Sequence, residues 1–200
     1  MSAILECVPN FSEGRNPDVI RQITARIEAV SGAQLLHVDP GFATHRTVVT
    51  FAGPPADVVE AAFQGIAAAR DLIDMARHSG THPRMGATDV CPLVPIRGIS
   101  LAEAAEWARR LAERVGRELG IPVYLYEAAQ PDPARRNLAV IRAGEYEGLA
   151  LKLQRPEWRP DFGPAEFNPR SGATVIGARD FLVAYNVNLN TTSTRRANAV

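Results

Sequence analysis

The chain has 200 residues, 46% of them hydrophobic, which is enough for a core of its own, so one domain or two closely joined subdomains is the expectation. Its 22 basic and 22 acidic residues cancel, so no net field draws it to nucleic acid or to an anionic membrane, and neither is an expected partner. No apolar run approaches the roughly 20 residues a membrane span needs. The N-terminus lacks the basic and apolar regions of a secretory signal, and Cys7 and Cys91 both lie in apolar runs, so a reduced, cytoplasmic protein is expected.

Residues 3–9, AILECVP, read as a short buried strand. The polar NFSEGRNPD after it ends in a helix start, with Asn16 as N-cap and Pro17 at the first helical position. Val19, Ile23, Ile27 and Val30 then share one helical face up to Ser31 and Gly32. Two strand-like runs, residues 33–39 and 46–53, are joined by PGFATH and are expected to pair. A long helix follows from Pro55 to Ser79 and Gly80, with Val58, Ala62, Phe63, Ile66 and Ile73 at helical spacing. ATDVCPLVPI returns to extended structure. Its two prolines cannot donate to a ladder, so an irregular or edge strand is expected there and a central one is not.

Ser100 and Glu103 form a capping box for a third helix, which carries Leu101, Ala105, Ala108, Leu111, Ala112, Val115 and Leu119 on its apolar face and stops at Gly120. IPVYLY is the next strand. From residue 130 the texture changes, and Gly144 and Gly148 interrupt helical pieces. Residues 155–172 hold four prolines, two glycines and three aromatics, the composition of a functional loop or a linker. Residues 173–190 look like one or two strands, and Thr192 opens a helix-start composition. The order βαββαβαβ predicts an α/β fold: a mixed β-sheet with helices layered on it, of the split βαβ, ferredoxin-like type.

Residues 78–96, HSGTHPRMGATDVCPLVPI, put two histidines, Arg84 and Asp89 into a corner that a glycine and a proline alone would turn. His82 lies between Gly80 and Pro83, with Gly86 permitting close backbone approach to a ligand. Imidazole titrates near neutral pH, so His82 is a candidate proton shuttle, though a solvated loop histidine fits the same pattern. His78 falls in the last turn of the predicted helix, where the helix dipole favours it. With Asp89 or His45 the two histidines suggest a metal site. Zinc needs three or four convergent ligands, however, and nothing in the spacing brings them together, so no metal is expected. Cys91, in VCPLV, reads as a buried thiol. Asp39 either bonds its own loop or holds a cationic substrate nitrogen. Arg46, Arg84 and Arg142 are carboxylate clamps or solvated charges, and the aromatics of the proline-rich loop are core residues or a cover for a flat heteroaromatic ligand.

Four stretches carry a resemblance: ECVPNFSEGR (6–15), LIDMARHSGTHPRMGATDVCPLVP (72–95), IRAGEYEGL (141–149) and PDFGP (160–164). In this order, over nearly the whole chain, they resemble the formiminotransferase domain of the glutamate formimidoyltransferase family. The resemblance implies transfer of a formimino group from N-formiminoglutamate to N5 of tetrahydrofolate, the co-substrate, giving glutamate and 5-formiminotetrahydrofolate in histidine degradation. It implies that His82, in HPRMG, is the catalytic histidine. It implies a folate-contacting segment after PDFG, made of Gly163, Pro164, Ala165, Glu166, Phe167, Asn168, Pro169, Arg170, Ser171 and Gly172. It also implies two α/β subdomains with folate in a groove between them. Residues 1–180 would be the N-terminal subdomain and 181–200 the opening of the C-terminal one, with the chain ending short of the rest. Chemistry alone places Asp39 beside the substrate amidinium and Arg84 on a substrate carboxylate. A homo-oligomer is expected. The competing readings are a non-catalytic folate-binding subdomain and a transferase that uses N-formylglutamate.

Overall fold

A computed structural model of the chain describes residues 2–183 and 189–197. The first strand is broken into β1 (Ile4–Cys7) and β2 (Asn10–Phe11) at Val8 and Pro9. Helix α1 (Pro17–Glu28) starts where Asn16 accepts the amides of Asp18 and Val19 through its side chain. Strands β3 (Gln34–Gly41) and β4 (Arg46–Gly53) pair antiparallel. Then come α2 (Pro55–Leu72), β5 (Thr88–Arg97), α3 (Leu101–Arg114) and β6 (Val123–Glu127). The Ser100 and Glu103 capping box is present at the start of α3. Short helices α4 (Leu138–Arg142) and α5 (Glu145–Lys152) precede β7 (Thr174–Ala178) and the terminal turn α6 (Thr194–Ala197). The stretch expected to give a further strand falls partly on residues 184–188, outside the described residues.

The seven strands form one mixed sheet in the spatial order β3, β4, β1 with β2, β5, β7, β6. Strand β4 lies between β1 and β3, which is the split βαβ arrangement, and β5 lies on the other side of β1. These four pair antiparallel, while β7 and β6 extend the sheet in parallel with β5. Alternation along the strands decides the faces. Leu5, Cys7, Phe11, Val49, Phe51 and Leu93 bury one face under α1, α2 and α3, together with Ile23, Ile27, Ile66 and Leu111. On the other face, Met85, Val90, Tyr124, Tyr126 and Val175 pack with Ile141 and Leu149 from α4 and α5. That second cover spans only the β5, β7 and β6 end. Across β1, β2, β4 and β3 the same face carries Glu6, Arg46, Val48, Thr50, His37 and Asp39, all half-buried or exposed. This open face is the one free of a helical layer among the described elements.

Two expectations need correction. Strand β5 is central, because its prolines fall where the neighbouring ladder is already interrupted. The carbonyl of Pro92 accepts the amide of Val8 at the break between β1 and β2, and Pro95 pairs with Leu5 beside a register shift. A missing N–H is tolerated at such irregularities. Helix α2 ends at Leu72, well before Ser79. Ile73 turns extended, Asp74 caps a single 3₁₀ turn at Met75–Arg77, and the buried Met75 gives its amide to the carbonyl of Arg170. His78 therefore closes that 3₁₀ turn and is not in the last turn of α2. The proline-rich 155–172 segment is folded onto the sheet. Its Asp161 and Phe162 bond Val123 along the edge of β6, and Gly163 packs so closely on Ile121 and Gly116 that a Cβ would meet the Ile121 carbonyl oxygen at 2.2 Å.

Candidate active site

The corner after the 3₁₀ turn projects His82 from a backbone that is pinned on both sides. Its Nδ1 lies 2.7 Å from the carbonyl oxygen of Pro83. A carbonyl only accepts, so Nδ1 carries the proton and Nε2 is left with a free lone pair. Burial first, then the positive charges of Arg46 and Arg142, hold the imidazole below its ordinary value, with Pro83 and Asp89 pulling partly the other way. A neutral ring with an unoccupied Nε2 is the form a general base needs at neutral pH.

The charged groups that act on His82 come from three separate elements, β4, β5 and α4. Arg46, at the start of β4, donates to Asn10 Oδ1 of β2 at 2.5 Å and makes no ion pair among the described residues. Asp39 of β3 faces the same side, opposite Val48, and its charge is felt by Arg46. Asp89 is fully buried at the irregularity where β2 pairs β5. It accepts the amide of Met85 at 3.0 Å and is ion-paired with Arg142 at the end of α4. Burial pushes the Asp89 carboxyl above the usual range, and Arg142 and the Met85 amide recover part of that. Lys152 steadies the turn that carries Arg142. Its ammonium donates to the carbonyls of Ile141 and Ala143 and sits 4.3 Å from the centre of the Trp158 ring, and burial pushes it down to about 8.

Arg84 stands elsewhere. The residue is buried, and its guanidinium forks onto both oxygens of Glu147 at 2.6 and 2.8 Å, reaches Glu145 at 3.2 Å, and gives Nε–H to Nδ1 of His78 at 3.3 Å. These bonds occupy its fork, which ties α5 to the His78 corner. Among the described residues no group of three or more histidines, cysteines or carboxylates is placed to hold a metal ion.

The segment Gly163 to Gly172 returns to this corner at its far end. Ala87 donates its amide to the Ser171 carbonyl at 2.9 Å and Ala173 to that of Met85 at 3.1 Å. Gly86 and Gly172 face each other across that bridge, where a Cβ on Gly86 would lie 2.3 Å from the Ala173 carbonyl oxygen. Asn168 accepts the amides of Arg170 and Ser171, Phe167 packs on Tyr146, and the Tyr146 hydroxyl donates to the Pro169 carbonyl. Gly163, Ala165, Glu166, Asn168, Pro169 and Arg170 are exposed, whereas Ser171 and Gly172 are buried against Met85 to Ala87.

A profile of the formiminotransferase domain, N-terminal subdomain, matches residues 4–179. The chain belongs to that family. It is 53% identical over 192 residues to the formimidoyltransferase-cyclodeaminase of Sus scrofa, covering 96% of this chain and 36% of that protein. To the glutamate formimidoyltransferase of Streptococcus pyogenes serotype M1 it is 47% identical over 191 residues, covering 96% and 64%. A formiminotransferase cyclodeaminase-like protein of Arabidopsis thaliana is 29% identical over 195 residues, covering 90% and 65%. The chain thus spans about a third of the first protein and just under two thirds of the other two.

Within this formiminotransferase subdomain Asp39 shares the open face with Arg46, whose charge reaches His82, the end of the 163–172 segment bonds Met85 and Ala87, and Arg84 is engaged by Glu145 and Glu147. Sequence reasoning left Asn10 and Glu13 unmarked and weighed Asp89 and His45 only as metal ligands. The NFSEGR stretch that carried the resemblance holds both Asn10 and Glu13, so the signal was present without a role attached to it.

Proposed function

We propose that the full-length protein transfers the formimino group of N-formiminoglutamate to N5 of tetrahydrofolate, releasing glutamate. One observation carries this reading: a neutral His82 with its Nε2 unoccupied, under the charge of an Arg46 that makes no ion pair among the described residues. Names of the related proteins support it, since two of them are called formimidoyltransferases.

N5 attacks the protonated amidine carbon, forming the N5–C bond and a tetrahedral intermediate. His82 Nε2 takes the proton from N5, and the resulting imidazolium returns it to the nitrogen of glutamate as that C–N bond breaks. General acid and base help of this kind supplies roughly 100- to 10,000-fold. Asp39 stabilises the amidinium from the exposed strand β3. The carboxylate clamp falls to Arg46, because the fork of Arg84 is filled by Glu145 and Glu147. Gly163 to Gly172 hold the folate, with the exposed residues as contacts and Ser171 and Gly172 as the anchor. Residues 1–180 form the first subdomain. The exposed apolar run Phe181, Leu182 and Val183 begins the second, which would bury it. A cytoplasmic setting fits the two free cysteines, whose sulfurs lie 3.4 Å apart.

Parallel assays of the full-length protein with tetrahydrofolate and either N-formiminoglutamate or N-formylglutamate test the reading. Product from the formimino donor at the higher kcat/KM is expected. Folate binding with neither product would leave a non-catalytic module, and preference for the formyl donor would replace the substrate. Arg46→Ala is expected to raise KM for the donor roughly 10- to 100-fold, the worth of a charge-assisted hydrogen bond, with a smaller change in kcat. An unaltered KM would remove Arg46 from the clamp.

A further inference from the structure

The loop that carries His82 is held by a second histidine whose own ring is fixed from the sheet. His45, in the β3 to β4 connection, places Nδ1 at 2.9 Å from the carbonyl oxygen of Ser79 and Nε2 at 3.1 Å from Glu13 Oε1. Both partners are acceptors, so the contacts are complete when the ring donates from both nitrogens. The His45 ring also stacks on His78, with centroids 4.3 Å apart and planes 14° off parallel, and His78 Nε2 donates back to the His45 carbonyl at 2.9 Å. Thr81 reaches the Ala43 carbonyl through its amide. Gly80 lies so near Thr44 that a Cβ would meet the Thr44 carbonyl oxygen at 2.3 Å. Residues 78–81 are therefore tied to residues 43–45 along their whole length, ending one residue before His82.

Glu13 is the fixed end of this chain of contacts. Its Oε1 also accepts the amides of Arg15 and Asn16 at 2.7 and 2.9 Å, and its carbonyl accepts the Thr47 hydroxyl on β4. Gly14 packs directly on the backbone of Gly41 and Arg46. His45 itself sits at φ 50°, a left-handed conformation that a histidine keeps only where its surroundings determine it. Strain held in place beside a reacting group is what a positioning device looks like, since a displacement of about 1 Å there can cost roughly 100-fold in rate.

We infer that Glu13 and His45 are positioning residues for His82: Glu13 orients the His45 ring, His45 holds the Ser79 carbonyl, and the loop then presents Nε2 of His82 at a fixed place over the open face. This rests on the reading of His82 as the proton shuttle. Both act through the loop, so their loss lowers kcat and leaves KM for both substrates unchanged.

The test uses Glu13→Ala, His45→Ala, Glu13→Gln and His82→Ala in the full-length protein. Glu13→Ala and His45→Ala are expected to lose roughly 30- to 100-fold in kcat at constant KM. Glu13→Gln keeps an oxygen for the His45 proton and for the two amides, and is expected to recover to within about fivefold of the parent. Hydrogen exchange at the amides of residues 79–83 is expected to speed up in both alanine variants while the melting temperature holds, a readout that needs no activity. An inactive His82→Ala alongside fully active Glu13→Ala and His45→Ala would overturn the inference and leave the proton shuttle standing. So would a loss that comes only with a lowered melting temperature and is not recovered in Glu13→Gln. A fully active His82→Ala would instead remove the shuttle itself.

Discussion

His82→Ala in the full-length protein is expected to lower formimino transfer by roughly 100- to 10,000-fold while reduced folate still binds. The size follows from the engagement of the two other rings of this corner. His78 uses Nε2 on the His45 carbonyl and Nδ1 on Arg84, and His45 uses both nitrogens on Ser79 and Glu13, so neither ring has a nitrogen to spare. His82 alone among these three bonds through one nitrogen only. The pH profile carries the same signature. Its pKa is lowered by burial and by Arg46 and Arg142, and the neutral ring is the base. The value of kcat/KM is therefore expected to rise with pH through a midpoint below the 6.5 of an ordinary histidine and to be flat by neutral pH. Single-turnover formation of 5-formiminotetrahydrofolate measures the first effect, and equilibrium titration with the folate measures what remains. A folded His82→Ala that turns over at the parent rate would sink the mechanism. The same holds for a rising limb above 6.5, because it would report a group whose charged form is favoured where His82 sits.

Local chemistry made most of the elements readable. Asn16 with Pro17, and Ser100 with Glu103, mark helix starts that the backbone uses as written, because caps satisfy donors within a few residues and need no partner from afar. The paired β3 and β4 follow from two runs of strand-forming residues with a turn between them. What was misread depended on distant neighbours. The prolines of β5 argue for an edge until the break at Val8 and Pro9 is known to lie opposite Pro92. The apolar spacing up to Ile73 continues a helix until Met75 is seen to give its amide to Arg170, nearly a hundred residues away. The site divides the same way. His82 was legible because its local setting and the HPRMG motif both single it out. The engagement of Arg84 by Glu145 and Glu147, the bond from Arg46 to Asn10, and the link from Glu13 to His45 each join residues more than 30 positions apart, and no periodicity encodes such a meeting.

Removing Asp89 is the second large effect expected. Its carboxylate is fully buried, accepts the Met85 amide, and is the only ion-pair partner of Arg142 among the described residues. Burial holds its pKa above that of a free aspartate, so the ionised carboxylate is tolerated at a cost and the pair adds little net stability over a well-packed apolar pair. Taking away one partner is different. Asp89→Ala leaves the Arg142 guanidinium half-buried without a counter-charge and the Met85 amide without an acceptor, a loss of roughly 3 to 5 kcal/mol by denaturant unfolding. Asp89→Ala with Arg142→Met is expected to recover much of that, since the stranded charge goes with its partner. A loss below about 1 kcal/mol in Asp89→Ala would mean that the pair is solvated and the argument from burial fails. Asp89→Asn keeps an acceptor for the Met85 amide and isolates the charge. Asp89 is a negative group that raises the His82 pKa against Arg46 and Arg142, so its neutral replacement should move the rising limb of kcat/KM to lower pH. An unmoved limb would show that His82 does not sense this carboxylate, and with that the buried ion pair would be scaffold alone and no part of what keeps the imidazole poised as a base.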